Sequence, residues 1–160
     1  MQVLDASSII YAWDNYPEPQ FPPLWRWLAQ QIGDGQLTIA KMALDEVATK
    51  APDCAQWLKA QQAEVLPMTD AILMDALRIK QLVGVQGEKY HPKGVGENDL
   101  FIIAITRAHG AELLTDEERQ PALPKEPTKR KIPAVCDMAG VSVPCLRFVE
   151  YIKRSKVVFG

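Results

Sequence analysis

The 160-residue sequence predicts one α/β domain, residues 1–160, built around a short and mainly parallel sheet. Short apolar runs such as Val3-Leu4 and Leu113-Leu114 alternate with longer segments whose apolar residues recur at helical spacing. Strands joined by crossover helices produce this alternation. Hydrophobic residues make up 48% of the chain and charged residues 24%, so we expect one packed core and no extensive disorder.

In the first half of the chain, apolar spacing and helix-breaking residues mark the predicted elements. Ile72, Ala76 and Ile79 form one apolar stripe, which predicts an amphipathic helix that begins at Thr69 and ends before Gly84. Proline and glycine separate the other segments. The predicted order is a strand at 3–4, a helix from Ser7, a helix over 24–32, a strand at 37–39, a helix from Lys41, a short helix capped by Asp53, and a strand at 65–66 before the Thr69 helix.

The second half of the chain continues the alternation after a polar loop. The segment from Asp99 to Ala108 contains the apolar run LFIIAI and predicts a buried helix. The stretch from Pro121 to Pro133 is rich in proline and charge, which is typical of a loop. The remaining predicted elements are a strand at 113–114, a short helix near 134–139, a strand at 141–145 and a closing helix over 147–153.

Composition excludes several classes of protein. The longest apolar run, Leu100 to Ile105, is far shorter than the ~20 residues that span a bilayer, and the first 14 residues contain no basic side chain, so neither a membrane protein nor a signal peptide is predicted. Three cysteines without CxxC spacing predict neither a disulfide framework nor a zinc site, and we expect a cytoplasmic protein. A net charge of −2 excludes nucleic-acid binding by bulk charge alone.

Four carboxylates fall where a parallel sheet can bring them together. Asp5 and Asp116 each end a predicted strand, Asp99 begins an apolar helix, and Glu46 lies on another predicted helix. Ligands of open α/β sheets bind outside the carboxyl ends of the strands. Each acid alone is expected to cap a helix or face solvent, but a cluster of acids repels itself unless protons or a cation neutralise it. Oxygen ligands without His or Cys favour Mg²⁺ or Mn²⁺.

Motifs along nearly the whole chain resemble those of PIN-domain ribonucleases. The segments VLDASSII, the pair Glu46-Val47, NDLFIIAIT and HGAELLTDE are similar to the four motifs of that family, and the first and third are the more specific. The later segment KIPAVCDMAGVSVPCLRFVEYI resembles the closing strand and helix of the VapC-type subgroup, which is related to toxins of toxin–antitoxin pairs. Two positions differ from the common pattern: Ala6 replaces a hydroxyl residue, and the fourth acid often lies at the position of Glu117 instead of Asp116.

The resemblance implies a three-layer fold and hydrolysis of RNA phosphodiester bonds that depends on Mg²⁺ or Mn²⁺ and leaves a 5′-phosphate and a 3′-hydroxyl. It implies an endoribonuclease that is the toxin of a toxin–antitoxin pair, with a cognate antitoxin and a second copy of the chain as partners. By motif, the catalytic and metal-binding acids would be Asp5, Glu46, Asp99 and Asp116. The supporting residues would be Ser7, Thr115 and Glu117.

Other interpretations remain open at the level of sequence. The basic run Lys129, Arg130 and Lys131 can follow an RNA backbone, or it can belong to a solvated loop. A phosphatase of the haloacid-dehalogenase type also begins with a strand that ends in Asp, but its general acid would be at position 7, where this chain has Ser7. A PIN-like binding protein without activity is the other alternative.

Overall fold

The computed structural model describes residues 1–160 and contains one sheet of five parallel strands. The strands are β1 (Gln2–Leu4), β2 (Leu37–Ala40), β3 (Val65–Leu66), β4 (Glu112–Leu114) and β5 (Cys145–Leu146). Their order across the sheet is β3-β2-β1-β4-β5, and Leu4 of β1 is in register with Ile39 of β2 and Leu114 of β4. The predicted α/β class with a parallel sheet is therefore confirmed.

Eight helices connect and cover the strands. They are α1 (Ala6–Asn15), α2 (Pro22–Gly33), α3 (Lys41–Lys50), α4 (Pro52–Ala60), α5 (Asp70–Val83), α6 (Glu97–Ala108), α7 (Ile132–Cys136) and α8 (Phe148–Ser155). The chain first moves from β1 through β2 to β3, toward one edge of the sheet, and then returns to β4 and β5, toward the other edge. Because parallel crossovers are right-handed, the connections of these two directions lie on opposite faces of the sheet. This arrangement gives the three layers that the resemblance implies. No helix is both long enough and apolar enough to cross a membrane.

The core follows from the apolar strands and the apolar helix stripes. Val3, Leu113 and Leu114 are fully buried, as expected for central parallel strands covered on both faces. Trp25 of α2 is the centre of an aromatic group, since its ring packs edge-on against Trp57 at 4.8 Å between ring centroids. Its Nε1 donates a hydrogen bond to the Tyr16 carbonyl at 2.6 Å, so the buried indole keeps a polar partner.

The starts of α6 and α4 differ from the sequence prediction for identifiable reasons. Helix α6 begins at Glu97 rather than Asp99, because the Asp99 carboxylate turns back and accepts a hydrogen bond from Gly96 N at 2.8 Å, which places Asp99 in the first turn. Helix α4 begins at Pro52, which suits a first helical position, and Asp53 lies within the first turn instead of capping the helix. Helix α5 begins at Asp70, one residue after the predicted start at Thr69, because Thr69 is its N-cap and its hydroxyl accepts from Ile72 N at 3.2 Å.

The C-terminal quarter differs more from the prediction. Strand β5 covers only 145–146, because Ser142 adopts a positive φ of 52° and Pro144 has no N–H for the sheet. The short helix lies at 132–136 rather than 134–139, since Pro133 occupies its first turn. The closing helix runs over 148–155 rather than 147–153.

A close backbone contact joins the loop before α6 to the loop before α7. Val95 N donates to the Arg130 carbonyl at 3.0 Å, and a Cβ built on Gly94 would lie 1.8 Å from the Thr128 carbonyl oxygen. We therefore expect Gly94→Ala to lower the free energy of unfolding by roughly 1–3 kcal/mol, because the two loops would have to separate. Urea unfolding measures this change. Gly33→Ala is the control, since a Cβ there meets nothing within 4 Å, and an equal loss in both variants would contradict the contact.

Candidate active site

The site lies where the strand order of the sheet reverses. β1 and β4 are neighbours, although more than one hundred residues separate them in the chain, and β2 continues the sheet on the other side of β1. Such a reversal opens a crevice outside the carboxyl ends of the two strands. Asp5 follows β1 and its N donates to the Leu114 carbonyl of β4 at 2.9 Å. Residues 115–117 follow β4 at the same edge.

Two hydroxyl groups hold the Asp5 carboxylate in place. Ser7 Oγ donates to Asp5 Oδ2 at 2.7 Å and Thr115 Oγ1 donates to the same oxygen at 2.9 Å. The same hydroxyls accept from the backbone that follows β4, Ser7 from Asp116 N at 2.9 Å and Thr115 from Glu117 N at 3.3 Å. Asp5 is only 4% exposed. Ser7 and Thr115 therefore tie the ends of β1 and β4 together around one buried acid.

An acidic cavity of about 450 Å³ opens above this point. It brings together all four predicted acids, which come from the residue after β1, from α3, from α6 and from the segment after β4, and it adds Glu117 and Asp14. Lys50 is the only cationic side chain in its lining. The lining consists of Asp5, Ser7, Ile10, Tyr11, Asp14, Asn15, Glu46, Lys50, Asp99, Asp116 and Glu117.

Burial and mutual repulsion raise the pKa of three carboxyl groups in the cavity. Desolvation raises the pKa of Asp99 from 3.8 to about 7, and the charges of Asp5, Glu117 and Glu46 add to the rise. Burial also raises the pKa of Asp5, although the hydrogen bonds from its hydroxyl partners oppose the rise. Burial raises the pKa of Glu117, and Asp5 contributes to it. A cation in the cavity would relieve this repulsion.

Three of the acids, Glu46, Asp99 and Glu117, have separate partners within the protein. Lys50 Nζ donates to Glu46 Oε1 at 2.6 Å, Asp99 Oδ2 accepts from Gly96 N, and Glu117 Oε2 accepts from Ile132 N at 2.8 Å. As placed here, no three Asp, Glu, His or Cys side chains lie close enough to hold one metal ion. The donor set of carboxylate oxygens fits Mg²⁺ or Mn²⁺, but shared coordination requires some of these side chains to rotate away from their present partners.

The two neighbouring acids after β4 lie in different surroundings. Asp116 Oδ1 is 3.6 Å from the Arg147 guanidinium, so this carboxylate has a cationic neighbour, although the arginine is shared with Glu118 and the buried Oδ1 accepts no hydrogen bond. The charge of Glu117 acts on Asp99, and the charge of Asp5 acts on Glu117. Both side chains line the cavity, but Glu117 is the one that interacts with the other acids.

Sequence reasoning missed the wall of the cavity that α1 and α3 provide. Tyr11 and Asp14 lie one and two turns after Ser7 on the same face of α1, and Lys50 lies one turn after Glu46 on α3. Helical spacing from the predicted site residues would have found all three. Arg147, the partner of Asp116, had no such signal because it follows a distant strand.

The three side chains of the predicted basic run lie in different surroundings. Lys129 Nζ pairs with Glu126 at 3.1 Å, and Arg130 lines a separate cavity on the other side of the segment that follows β4. Lys131 is near enough to Glu117 to lower its pKa. None of these three side chains lines the acidic cavity.

Thr115→Val is expected to lower the free energy of unfolding by roughly 1–3 kcal/mol, because it leaves Glu117 N without its acceptor and Asp5 without one of its two hydroxyl donors. Denaturant unfolding measures the loss. Thr38→Val is a matched control. Thr38 is equally buried, and its hydroxyl donates a hydrogen bond of 2.9 Å to the Gln2 carbonyl, which does not line the cavity. Only the Thr115 variant should alter any activity of the acidic cavity, and an equal effect of both variants on activity would contradict the role of Thr115.

The fold and the site together define a PIN-like α/β domain with an acidic cavity at the carboxyl end of a parallel sheet. A solved structure with this fold is VapBC2 from Rickettsia felis bound to a DNA fragment from their promoter. The similarity has a TM-score of 0.56 and covers 91% of this chain and 97% of that chain, at 15% sequence identity. At this identity the similarity shows the fold.

The chain belongs to the family described as "Domain of unknown function (DUF4411)", which matches it over residues 2–159. No curated protein matches it significantly in sequence. The family description assigns no activity.

Proposed function

We propose that this protein is a divalent-metal-dependent endoribonuclease and the toxin component of a toxin–antitoxin pair. The observation that carries the proposal is the single acidic cavity at the reversal of strand order, where acids from four separate segments converge around the buried Asp5. Raised pKa values of Asp5, Asp99 and Glu117 support a cation as the natural occupant, because a cation would let all three ionise together.

We assign the metal-binding role to Asp5, Glu46, Asp99 and Glu117, and we place Glu117 ahead of Asp116 because Asp116 has Arg147 as its partner. When bound, Mg²⁺ or Mn²⁺ supplies Lewis-acid stabilisation of the charge that develops on the phosphoryl oxygens. Ser7 and Thr115 keep the Asp5 carboxylate in one orientation.

Lys50 is the side chain that we expect to contact the substrate phosphate. It carries the only positive charge in the lining of the cavity, and it pairs with Glu46 one turn before it on α3. An ammonium group on a flexible stem can move from a carboxylate to a phosphate oxygen. Lys50 would therefore reduce the repulsion between the acids of the cavity and the phosphates of an RNA strand.

The VapBC2 complex has the same fold, and this supports an antitoxin as the partner of this chain. The resemblance to VapC-type toxins also leads us to propose a homodimer. Co-expression with the product of a small neighbouring gene, followed by size-exclusion chromatography of the complex, tests the antitoxin. Size-exclusion chromatography of the free chain tests the homodimer.

Incubation of the purified protein with single-stranded RNA tests the activity. We expect cleavage with Mg²⁺ or Mn²⁺, none with EDTA, and products that carry a 5′-phosphate. Cleavage that continues in EDTA would contradict metal dependence.

Hydrolysis of a simple phosphate monoester through a trapped aspartyl phosphate would instead favour the phosphatase alternative. Against that alternative, Ser7 stands at the position of the required general acid, and its hydroxyl is hydrogen-bonded to Asp5 and to Asp116 N.

A binding protein without activity is the second candidate function. The separate partners of the acids favour it, because no three of them are close enough to share an ion as placed here. Calorimetry with Mn²⁺ separates the two candidates. Binding of Mn²⁺ together with RNA cleavage supports the nuclease, whereas the absence of both supports the silent protein.

A further inference from the structure

A second cavity, of about 280 Å³, lies between the segment that follows β4 and helix α7. Two arginines, Arg119 and Arg130, contribute to its lining, and Asp137 is the only acid there. The charged side chains of the lining therefore sum to one positive charge. This contrasts with the acidic cavity, in which acids outnumber the single Lys50.

The backbone of Arg130 is held in place, and its side chain has no partner for its charge. Its carbonyl accepts from Val95 N at 3.0 Å. The Gln120 side chain binds the backbone on both sides of Arg130, since its Nε2 donates to the Lys129 carbonyl at 3.2 Å and its Oε1 accepts from Lys131 N at 3.0 Å. The guanidinium forms no ion pair, and its buried Nε has no acceptor. A guanidinium that lines a cavity without an ion pair can take an anionic ligand as the partner of its charge.

Arg119 is oriented by two contacts at the same cavity. Its Nη1 donates to Asp137 Oδ2 at 3.0 Å, and its Nη2 donates to the Cys145 carbonyl at 2.9 Å. The Asp137 pair is exposed and so adds little to stability. Guanidinium groups bind phosphate oxygens through paired hydrogen bonds. Two of them on one cavity favour a phosphate over an uncharged polar ligand.

A crevice of about 10 Å³, too small to hold a phosphate, lies between the two cavities. Glu117 lines both the crevice and the acidic cavity, whereas Arg119 and Pro133 line both the crevice and the second cavity. Arg147 lines the crevice between them. An RNA strand with one phosphate at the acidic cavity would therefore reach the second cavity over the surface, past Arg147 and Arg119.

We propose that Arg119 and Arg130 form a subsite for a backbone phosphate of the RNA strand whose scissile bond lies in the acidic cavity. The proposal rests on the proposed function, and it adds the path by which the strand continues beyond the cleavage site. Asp137 weakens the subsite, because it competes with the phosphate for Arg119.

Fluorescence anisotropy with a 12-nucleotide RNA in EDTA tests the subsite without cleavage. We expect Arg130→Gln to weaken binding roughly tenfold, as for the loss of a charged hydrogen bond, and to reduce the salt dependence by about 0.7 in log–log slope for one lost phosphate contact. Arg130→Lys should retain part of the affinity, and Asp137→Asn should tighten binding. Arg26→Gln, at an exposed arginine of α2, is the control and should bind as wild type does. Thermal unfolding of each variant shows whether it is folded.

Cleavage of substrates of two lengths provides the second arm. Arg130→Gln should lower kcat/KM for the 12-nucleotide RNA and leave a dinucleotide unchanged, because a dinucleotide does not reach the second cavity. Unchanged binding and cleavage of the 12-mer by Arg130→Gln would overturn the subsite. The subsite would also be overturned if inorganic phosphate or pyrophosphate raised the unfolding temperature of the protein while RNA did not bind, because the arginines would then bind a free anion and not an RNA backbone. RNA binding that depends on Arg130 in a protein that cleaves nothing would support the subsite and contradict only the nuclease.

Discussion

Asp5→Asn is expected to lower kcat/KM for RNA cleavage by roughly 10²–10³-fold, the scale of losing one preorganised electrostatic contact to a transition state. Asp5 is the most buried acid of the cavity and the one that two hydroxyls orient. Asparagine has nearly the same shape, and its Oδ1 can accept both hydroxyl hydrogen bonds. The substitution therefore removes a negative charge from the metal-binding cluster without removing the local hydrogen-bond frame.

Asp45→Asn is the control for this experiment. Asp45 precedes Glu46 on α3, but it is exposed, pairs with Lys41 and does not line the cavity. We expect this variant to cleave RNA as wild type does, and circular dichroism should show both variants folded. If Asp5→Asn cleaves at the rate of the Asp45 variant, the acidic cavity is not the catalytic site.

Asp99→Asn is expected to raise the free energy of unfolding of the metal-free protein at pH 8 by roughly 1–3 kcal/mol, since each unit of pKa shift corresponds to about 1.4 kcal/mol and part of the shift is lost to relaxation. The pKa of Asp99 rises from 3.8 to about 7 on folding. The folded chain therefore binds more protons than the unfolded chain between these values, and its stability falls as the pH rises from about 4 to about 7. Asparagine stays neutral and avoids this loss.

The measurement is urea unfolding in EDTA at pH 4.5 and pH 8. The increase in the free energy of unfolding caused by Asp99→Asn should be large at pH 8 and small at pH 4.5. At pH 4.5 the Asp99 carboxyl of the folded wild type is largely protonated. The side-chain oxygen of the introduced asparagine can still accept the hydrogen bond from Gly96 N, so the first turn of α6 is preserved. A loss of stability at pH 8 would mean that the Asp99 carboxylate is stabilised by the protein, and this would contradict the repulsion among the acids of the cavity.

The sequence was sufficient to predict the parallel sheet and the position of Asp5. Apolar strands followed by helices define the order of elements, and the carboxyl ends of parallel strands meet at one edge. That Asp5 and Thr115 lie together follows from this rule as soon as β1 and β4 are neighbours. The strand order itself is a long-range property, and no local pattern in the chain predicts which strand pairs with β1.

Side-chain direction in the loops could not be predicted. Asp116 and Glu117 are adjacent, and only the position of Arg147 after β5 and of Ile132 N on α7 decides which of them interacts with the other acids. Both partners come from the C-terminal quarter, where the predicted strand and helix boundaries were wrong. The backbone there depends on the positive φ of Ser142 and on contacts such as Gly94 with Thr128, which periodicity does not reveal.

Calorimetric titration with Mn²⁺ at pH 8 tests most directly whether the acidic cavity holds a divalent cation. Wild type should bind Mn²⁺ saturably, and it should bind more weakly at pH 5.5, where protons occupy Asp99. Asp5→Asn should lose this binding and Asp45→Asn should keep it. Absence of Mn²⁺ binding in wild type, or equal binding in wild type and Asp5→Asn, would contradict the metal site and with it the proposed nuclease.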